Sequence, residues 1–219
     1  MEQTEKSEKN QIKYKKLKVF LTGYLGFMGI KDNPTEKLVK TIIDKKDLFN
    51  KEKIEIVNHK IFEVATDYVD NNIHSFYKEI EHDKEGDVLF LIVHFGLYTK
   101  LSSPQIETTA TNYIKDEFKS RPICDKDGKC FLSKLDTENI VNNLNSTCDS
   151  NEKCKVSNDA GNYLCNYIFY NSLKYYEKTP NVLATFIHIP LFEKYSLEQD
   201  LNFFKRFLEN IKNIYIQSD

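Results

Sequence analysis

The sequence has no long apolar run and no excess of one charge, and each absence excludes a class of protein. No stretch approaches the roughly 18 apolar residues that a membrane-spanning helix requires. Lysine plus arginine number 31 and aspartate plus glutamate number 33, which gives a net charge of −2. A charge so close to balance argues against a general binder of nucleic acid or of anionic membranes. We therefore expect neither nucleic acid nor a membrane among the partners.

The N-terminal region also lacks the apolar core of a secretory signal, because lysine, glutamate and glutamine predominate ahead of Leu17. Residues 1–15 are charged and aperiodic, which predicts a disordered tail. The remaining length, residues 16–219, is typical of a single domain. The cysteines number five, an odd count. Together with the missing signal, this count predicts reduced thiols and a cytoplasmic location.

Four of the cysteines form two pairs in the sequence, Cys124 with Cys130 and Cys148 with Cys154, with five residues between the members of each pair. Paired zinc ligands usually have about 2–4 residues between them. No histidine lies near either pair. We therefore expect no structural zinc, and nothing else in the sequence calls for a metal or a cofactor.

Apolar strands alternate with amphipathic helices along the chain. Apolar runs predict strands at 17–22, 88–95 and 182–190, and partial alternation predicts another at 54–62. We expect a short strand at 153–157, and helical periodicity predicts intervening helices and a last helix from Ser196. The run 88–95 is nearly all apolar, as in a central strand covered on both faces. This order predicts an α/β fold with three layers, α/β/α, around a mostly parallel mixed sheet. Residues 113–134 show no clear period, which predicts a flexible loop over the site.

A cysteine follows a polar turn within Val156–Tyr167. Asp159 is a good helix N-cap, so we expect a helix that carries Cys165 near its start. Backbone N–H groups and the helix dipole there favour the thiolate, which is the nucleophilic form of cysteine. A buried, inert cysteine explains this stretch equally well when it is taken alone.

The same stretch resembles the cysteine signature of the pyroglutamyl peptidases of type one, also called pyrrolidone-carboxylate peptidases. The matching positions, without a gap, are Ser157, Asp159, Ala160, Gly161, Tyr163, Leu164, Cys165 and Asn166. The resemblance implies that Cys165 is the catalytic nucleophile. It also implies that Tyr163 and Leu164 line the substrate pocket.

A glycine-rich loop, Gly23–Gly29, follows the first strand. Its glycine spacing fits neither of the common phosphate-binding fingerprints. It is instead similar to the first signature of the same family, with matches at Thr22, Gly23, Tyr24, Phe27, Asn33 and Pro34, and with Gly26 in place of the usual proline. The resemblance implies that Tyr24 and Phe27 wall the pyroglutamyl ring and that Asn33 belongs to the same site. Local chemistry also predicts Asn33 as a helix N-cap, with Glu36 completing a capping box.

Two further stretches resemble family landmarks. Ile106–Asn112 is similar to the glutamate signature, with Glu107 matching and Thr108 in place of the usual base. Phe186–Pro190 is similar to the histidine landmark, with His188 matching. Taken alone, Glu107 would be interpreted as an exposed loop residue and His188 as a core residue. His188 ends an apolar strand, however, and active sites of α/β folds gather at the carboxyl ends of strands.

Over residues 17–192 the resemblance implies a cysteine peptidase that removes an N-terminal pyroglutamyl residue from peptides through a thioester. In such an enzyme Cys165 attacks the carbonyl, His188 carries the proton and Glu107 orients the imidazole. The reaction needs no cofactor, and its partners are N-terminally pyroglutamylated peptides. The sequence leaves the oligomeric state open.

Two alternatives remain at this stage. A catalytically impaired relative that binds pyroglutamyl peptide ends is favoured by Thr108, by Gly26 and by the absence of an arginine between the glutamate motif and Arg121. A nucleoside-phosphorylase-like enzyme on a related α/β fold is the other alternative. The sequence shows no obvious phosphate-binding motif that would support it.

Overall fold

The computed structural model describes residues 13–81, 86–115, 120–124, 128–148 and 152–218. The described strands are β1 (Lys16–Tyr24), β2 (Ile54–Phe62), β3 (Val88–Leu97), β4 (Gln105–Glu107), β5 (Thr109–Ala110), β6 (Ile114–Lys115), β7 (Ser120–Arg121), β8 (Phe131–Leu132), β9 (Lys155–Ser157) and β10 (Val182–Ile189). The described α-helices are α1 (Pro34–Asp44), α2 (Thr66–Glu81), α3 (Thr137–Ser146), α4 (Leu164–Tyr175) and α5 (Leu197–Tyr215).

A six-stranded sheet with the order β2-β1-β3-β10-β4-β9 forms the centre of the molecule. β1 pairs in parallel with β2 and β3, and β10 pairs in parallel with β3. β4 is antiparallel to β10, and β9 is parallel to β4. The sheet is therefore mostly parallel and mixed, as predicted. β3 and β10 are central and almost wholly buried, which explains their nearly continuous apolar sequences.

Helices cover both faces of the sheet, which confirms the predicted three layers. Buried residues of α1, α3 and α5 pack in one core cluster with one face of the strands. Buried residues of α2 and α4 pack in a second cluster with the opposite face. Along β1 the period-two alternation sends Leu17, Val19 and Leu21 to the first cluster and Phe20 to the second. In the described ranges, no helix combines the length and the apolar composition needed to cross a membrane.

Local side-chain chemistry sets the starts of α1 and α5. Asn33 caps α1, and its side chain accepts a hydrogen bond from the backbone N–H of Thr35. Glu36 does not complete a capping box there. It pairs instead with Lys40 one turn later, with 2.6 Å between Oε1 and Nζ. At α5 the predicted capping box is present in both directions between Ser196 and Gln199.

The predicted disordered tail, residues 1–15, lies mostly on residues 1–12, which are outside the described part of the chain. Tyr14 is described and is buried. Its N–H donates to the carbonyl of Tyr215 at 2.9 Å, and its own carbonyl accepts from the N–H of Gln217 at 2.8 Å. The chain is therefore tied to the end of α5 from Tyr14 onward.

The segment 113–134, predicted as a flexible loop, also lies partly outside the described residues. Its described parts contain three strands of two residues each: β6 pairs with β7, and β8 pairs with β5. Strands this short carry too few residues to show a period-two pattern. Sequence periodicity therefore could not predict these short strands.

Candidate active site

Cys165 is the second residue of α4, which begins at Leu164 with Tyr163 at the N-cap position. The prediction that Asp159 caps this helix is therefore wrong. Asp159 closes a turn that precedes the helix, because its Oδ1 accepts from the N–H of Gly161 at 2.9 Å and Gly161 has a φ of 79°. The left-handed residue redirects the chain and delays the helix. Cys165 consequently lies in the first turn, where the helix dipole and unpaired N–H groups favour a thiolate.

Glu107 and His188 meet because of the register between β4 and β10. Phe186 lies opposite Glu107, and His188 lies opposite Gln105. Residues two apart on a strand share a face, so Glu107 and His188 point to the same face as diagonal neighbours. Phe186 packs in the core cluster beneath α4, the helix that carries Cys165. One face of the sheet therefore brings the three predicted catalytic residues together.

The three side chains interact in series, with His188 in the middle. His188 Nδ1 lies 2.8 Å from Glu107 Oε1, and both side chains are almost fully buried. The side chain of Cys165 lies near enough to the imidazole to influence the pKa of His188. Since Nδ1 is engaged by the carboxylate, Nε2 is the ring nitrogen left to face the thiol. This arrangement matches that of a hydrolase with a covalent intermediate: Cys165 corresponds to the nucleophile, His188 to the base and Glu107 to the carboxylate that orients the base.

The electrostatic setting of His188 favours its protonated form. Burial by itself lowers the pKa of this imidazole, but three influences oppose that effect. The charge of Cys165, the hydrogen bond with that thiol and the interaction with Glu107 together raise the pKa of His188 to about 9. A protonated imidazole at this position can give a proton to a leaving group.

Gly96 makes room for the thiol and for an aromatic ring below it. It lies opposite His188 in the pairing of β3 with β10. A Cβ atom at Gly96 would lie 2.5 Å from Cζ of Phe186 and 3.0 Å from Sγ of Cys165. Both distances are too short for any larger residue to fit without moving the ring or the sulfur. The absence of a side chain at Gly96 therefore sets the depth at which Cys165 sits.

Two aromatic rings flank the imidazole. The ring centroid of His188 lies 4.8 Å from that of buried Phe186 and 5.8 Å from that of Tyr98. Tyr98 is 43% exposed, and its N–H donates to the carbonyl of Ile189 at 3.0 Å. Tyr98 belongs to none of the motifs that the sequence shows. Its place just after the carboxyl end of β3 was the only available signal.

Tyr24 contacts the start of the cysteine helix rather than forming an open wall. Its side chain is buried, and its hydroxyl donates to the carbonyl of Leu164 at 3.2 Å. Burial, and next the charge of nearby Cys165, raise the pKa of Tyr24 well above its ordinary value. Tyr24 therefore stays protonated and anchors the residue that precedes the nucleophile.

Phe27 lies half-buried in the glycine-rich loop. It forms a tight turn with Ile30 through two backbone hydrogen bonds of 3.0 and 2.8 Å, with Met28 and Gly29 in left-handed conformations at the tip. Gly26 packs closely against the same turn, since a Cβ there would lie 2.5 Å from the carbonyl oxygen of Ile30. The glycine that replaces the usual proline therefore fits a loop path that no larger residue could follow without a shift.

Asn33 is buried, and its amide is used within the protein. Oδ1 accepts from the N–H and from the hydroxyl of Thr35, each at 3.0 Å, and Nδ2 donates to the carbonyl of Leu25 at 3.0 Å. These bonds join the glycine-rich loop to the first turn of α1. Asn33 thus fixes the shape of the loop that contains Phe27.

The residues around Cys165 divide between solvent and core. Tyr163 is 56% exposed, whereas Leu164 packs against the core cluster beneath α4. Asn166 is fully buried, and its Nδ2 donates to the carbonyls of Thr111 at 2.8 Å and Tyr113 at 2.7 Å. This amide ties the start of α4 to the segment that follows Glu107.

Thr108 takes the place of the usual base after the glutamate. Its N–H and its hydroxyl donate to the carbonyl of Ser157 at 2.7 and 3.0 Å. The residue therefore joins the end of β4 to the end of β9, just before the cysteine turn. A neutral side chain supplies this contact without a buried cation.

The structure shows no candidate metal centre within its described residues. No group of three or more histidine, cysteine, aspartate or glutamate side chains there lies close enough together to hold an ion. A cavity of about 860 Å³ lies elsewhere, among residues that include Phe90, Tyr175, Tyr176 and Pro180. These residues border the amino ends of β3 and β10, whereas the catalytic candidates border the carboxyl ends. The cavity is therefore separate from the candidate active site.

Residues 17–202 match the profile of a family described as pyroglutamyl peptidase. Among curated proteins, the pyrrolidone-carboxylate peptidase of Fusobacterium nucleatum is 30% identical over 179 residues, covering 79% of this chain and 78% of that protein. The pyrrolidone-carboxylate peptidase of Thermococcus litoralis is 25% identical over 211 residues, covering 92% of this chain and 87% of that protein. The profile match, residues 17–202, spans all three predicted catalytic positions.

Solved structures of the same name share the fold. A mutant pyrrolidone carboxyl peptidase from Pyrococcus furiosus superposes with a TM-score of 0.73 at 25% identity, covering 88% of this chain and 97% of that one. The pyrrolidone carboxyl peptidase of Fervidobacterium islandicum superposes with a TM-score of 0.75, covering 90% and 99%. Its identity of 22% supports the fold alone.

Proposed function

The chain belongs to the pyroglutamyl peptidase family and removes N-terminal pyroglutamyl residues from peptides, and we propose that Cys165, His188 and Glu107 carry out this reaction. The observation that supports the assignment best is that one imidazole, His188, hydrogen-bonds with Glu107 and interacts electrostatically with Cys165. Each member alone has an ordinary structural explanation. Their convergence on one face of the sheet has a catalytic one.

In the first step the Cys165 thiolate attacks the carbonyl carbon of the pyroglutamyl residue. The protonated His188 gives the Nε2 proton to the amine of the leaving peptide, which would otherwise be too basic to depart. A thioester between Cys165 and the pyroglutamyl group results. Glu107 accepts the hydrogen bond from Nδ1 throughout, so the imidazole keeps the orientation and the tautomer that both steps require.

In the second step neutral His188 removes a proton from water, which attacks the thioester. Pyroglutamate leaves and the thiolate is restored. Negative charge develops on the carbonyl oxygen in both steps. We assign its stabilisation to backbone N–H groups in the first turn of α4, including that of Cys165, because the first four N–H groups of a helix lack intrahelical acceptors.

The proposed pocket for the pyroglutamyl ring lies between the glycine-rich loop and the start of α4. Phe27 and Tyr163 are the accessible aromatic residues there, and Leu164 contributes an apolar contact. Tyr24 and Asn33 support these surfaces from the protein interior, as their burial and internal hydrogen bonds suggest. A small, flat, uncharged ring suits such a pocket.

We further propose that the substrates are peptides that begin with pyroglutamate and that the enzyme works in the cytoplasm. Within the described residues, no disulfide joins any of the five cysteines, Cys124, Cys130, Cys148, Cys154 and Cys165. A thiol nucleophile requires a reducing compartment, and the cytoplasm provides one.

Replacing Cys165 by Ser tests the proposal most directly. Serine keeps the size of the side chain but has no readily formed anion, so turnover of a pyroglutamyl-amide reporter should fall at least about 10⁴-fold. Circular dichroism and the unfolding temperature should stay close to those of the unmodified protein.

The matched control is Cys130→Ser, because Cys130 is an exposed cysteine remote from the proposed triad in the sequence. This variant should retain full activity. Normal activity in Cys165→Ser would contradict the nucleophile assignment, and inactivity of both variants would point to loss of the fold instead.

A further inference from the structure

A second cysteine lies against a cation, outside the catalytic site. Lys174 Nζ lies 2.8 Å from Cys124 Sγ, although the two residues are 50 positions apart in the sequence. That distance falls within the range of about 2.7–3.2 Å typical of N–H···O hydrogen bonds. Sulfur is larger than oxygen, so the nitrogen and the sulfur are in unusually close contact.

The fold holds both partners in place. The side chain of Asn112 brackets Cys124, since its Nδ2 donates to the Cys124 carbonyl and its Oδ1 accepts from the Cys124 N–H, both at 2.7 Å. Lys174 lies in the last turn of α4, and its Nζ is 6.0 Å from the ring centroid of Tyr170. The contact therefore joins two fixed points, as a near-attack arrangement requires.

The chemistry of the pair favours oxidation at this cysteine. An adjacent ammonium group promotes the thiolate, and thiolates are the species that peroxide oxidises. Cys124 is partly exposed, so a small oxidant can reach it. Cys154 provides the contrast, because burial raises the pKa of its thiol to about 11.

We propose that Cys124 and Lys174 form a modification site at which hydrogen peroxide creates a covalent bridge through one oxygen atom, Sγ–O–Nζ. The thiolate cleaves the O–O bond of one peroxide and becomes a sulfenic acid, and the released hydroxide takes a proton from the Lys174 ammonium. The neutral amine cleaves a second peroxide and becomes a hydroxylamine, with release of water. Condensation of the two oxidised groups expels water and forms the bridge. In total, thiolate, ammonium and two peroxides give the bridge and three waters.

The bridge would link the last turn of α4 to the segment that follows Glu107. Asn112 belongs to that segment, and Asn166 already joins it to the first turn of α4. Oxidation would therefore add a covalent connection at the far end of the helix that carries Cys165. The site uses none of the three proposed catalytic side chains, so it does not depend on their assignment.

The experiment uses the full chain with Cys165→Ser, so that the catalytic thiol takes no part. The protein is treated with hydrogen peroxide, digested and analysed by mass spectrometry. The expected product is a crosslinked peptide pair containing Cys124 and Lys174, heavier than the unmodified pair by one oxygen less two hydrogens. Treatment with a thiol reductant should reverse the crosslink.

Lys174→Arg in the same background is the matched control, because arginine keeps the positive charge but has no primary amine. There Cys124 should gain oxygen without forming a crosslink. The proposal is overturned if the unmodified Lys174 protein yields only sulfenic or sulfinic acid, if the crosslink contains no oxygen, or if the same mass appears in the arginine variant.

Discussion

Two buried carboxylates of this protein have opposite surroundings. Glu107 lies at the end of β4 and accepts a 2.8 Å hydrogen bond from His188 through Oε1. Asp200 lies near the start of α5 on the other face of the sheet, is fully buried, and within the described residues neither of its carboxylate oxygens has a hydrogen-bond partner. Burial raises the pKa of Asp200 to about 8.

The contrast shows that burial alone does not make a carboxylate useful for catalysis. Glu107 faces an imidazole that becomes positively charged, so its charge is compensated where the reaction needs it. Asp200 has no such partner among the described residues, and an isolated charge there would be costly, so the side chain holds its proton at neutral pH. Replacing the carboxyl group by an amide should therefore lower activity strongly at Glu107 and leave it almost unchanged at Asp200.

Of the two carboxylates, Glu107 should show the larger effect on replacement, and Glu107→Gln tests this. The amide can donate to Nδ1 and so favour the wrong tautomer of His188, which should lower kcat by about 10³- to 10⁴-fold. Activity of the unmodified enzyme should also decline as the pH rises past about 9, where His188 loses its proton. Because Glu107 helps to raise the pKa of His188, the residual activity of the variant should decline at a lower pH. Stopped assays across a pH series measure both effects.

Asp200→Asn is the matched control for that variant. Its kcat should remain within about twofold of the unmodified enzyme, since Asp200 is already neutral at pH 7. Equal losses of activity in both variants would contradict the distinction between the two carboxylates.

The pH dependence of the free energy of unfolding should reveal the raised pKa of Asp200 directly. Its pKa is about 4 in the unfolded chain and about 8 in the folded chain, so the folded state binds the proton more tightly. The contribution of protonated Asp200 to folding stability is then fully present below pH 4 and is lost as the pH rises through 8. Across this window the free energy of unfolding should fall by several kcal/mol, on the order of 3–5. Denaturant unfolding at several pH values measures this change.

The Asp200→Asn variant isolates that contribution, because other groups titrate over the same range. The difference in unfolding free energy between the two proteins should change steadily from pH 4 to pH 8 and then level off. A difference that stays constant over this window would show that folding does not raise the pKa of Asp200.

Gly96→Ala tests how closely the site around Cys165 and His188 is packed, and its expected effect on kcat is smaller than that of Glu107→Gln. The added methyl group must displace the Phe186 ring or the Cys165 sulfur. We expect kcat to fall roughly 10- to 100-fold, with a loss of stability of about 1–3 kcal/mol. Combining Gly96→Ala with Phe186→Leu should restore part of the activity if the ring is the obstacle. Undiminished activity in Gly96→Ala would mean that the thiol position tolerates displacement.

The sequence predicted several local features because local chemistry decides them. The bounds of β2, the N-cap at Asn33 and the capping box at Ser196 match the structure. The cap at Asp159 was wrong, since left-handed Gly161 separates that residue from the helix. The period-two alternation of a strand and the capping groups of a helix involve neighbours in the sequence. A turn before a helix, such as the one at Gly161, leaves a less clear pattern in the sequence.

The sequence by itself determined the α/β class, the family and the three residue types that such a reaction requires. Only the tertiary structure decided that antiparallel β4 sets Glu107 diagonally beside His188, and that Gly96 leaves space for Cys165. The same holds for the contact between Cys124 and Lys174 and for the burial of Asp200. Each of these depends on pairing register and packing between segments that are distant in the chain, and no local sequence pattern encodes such distances.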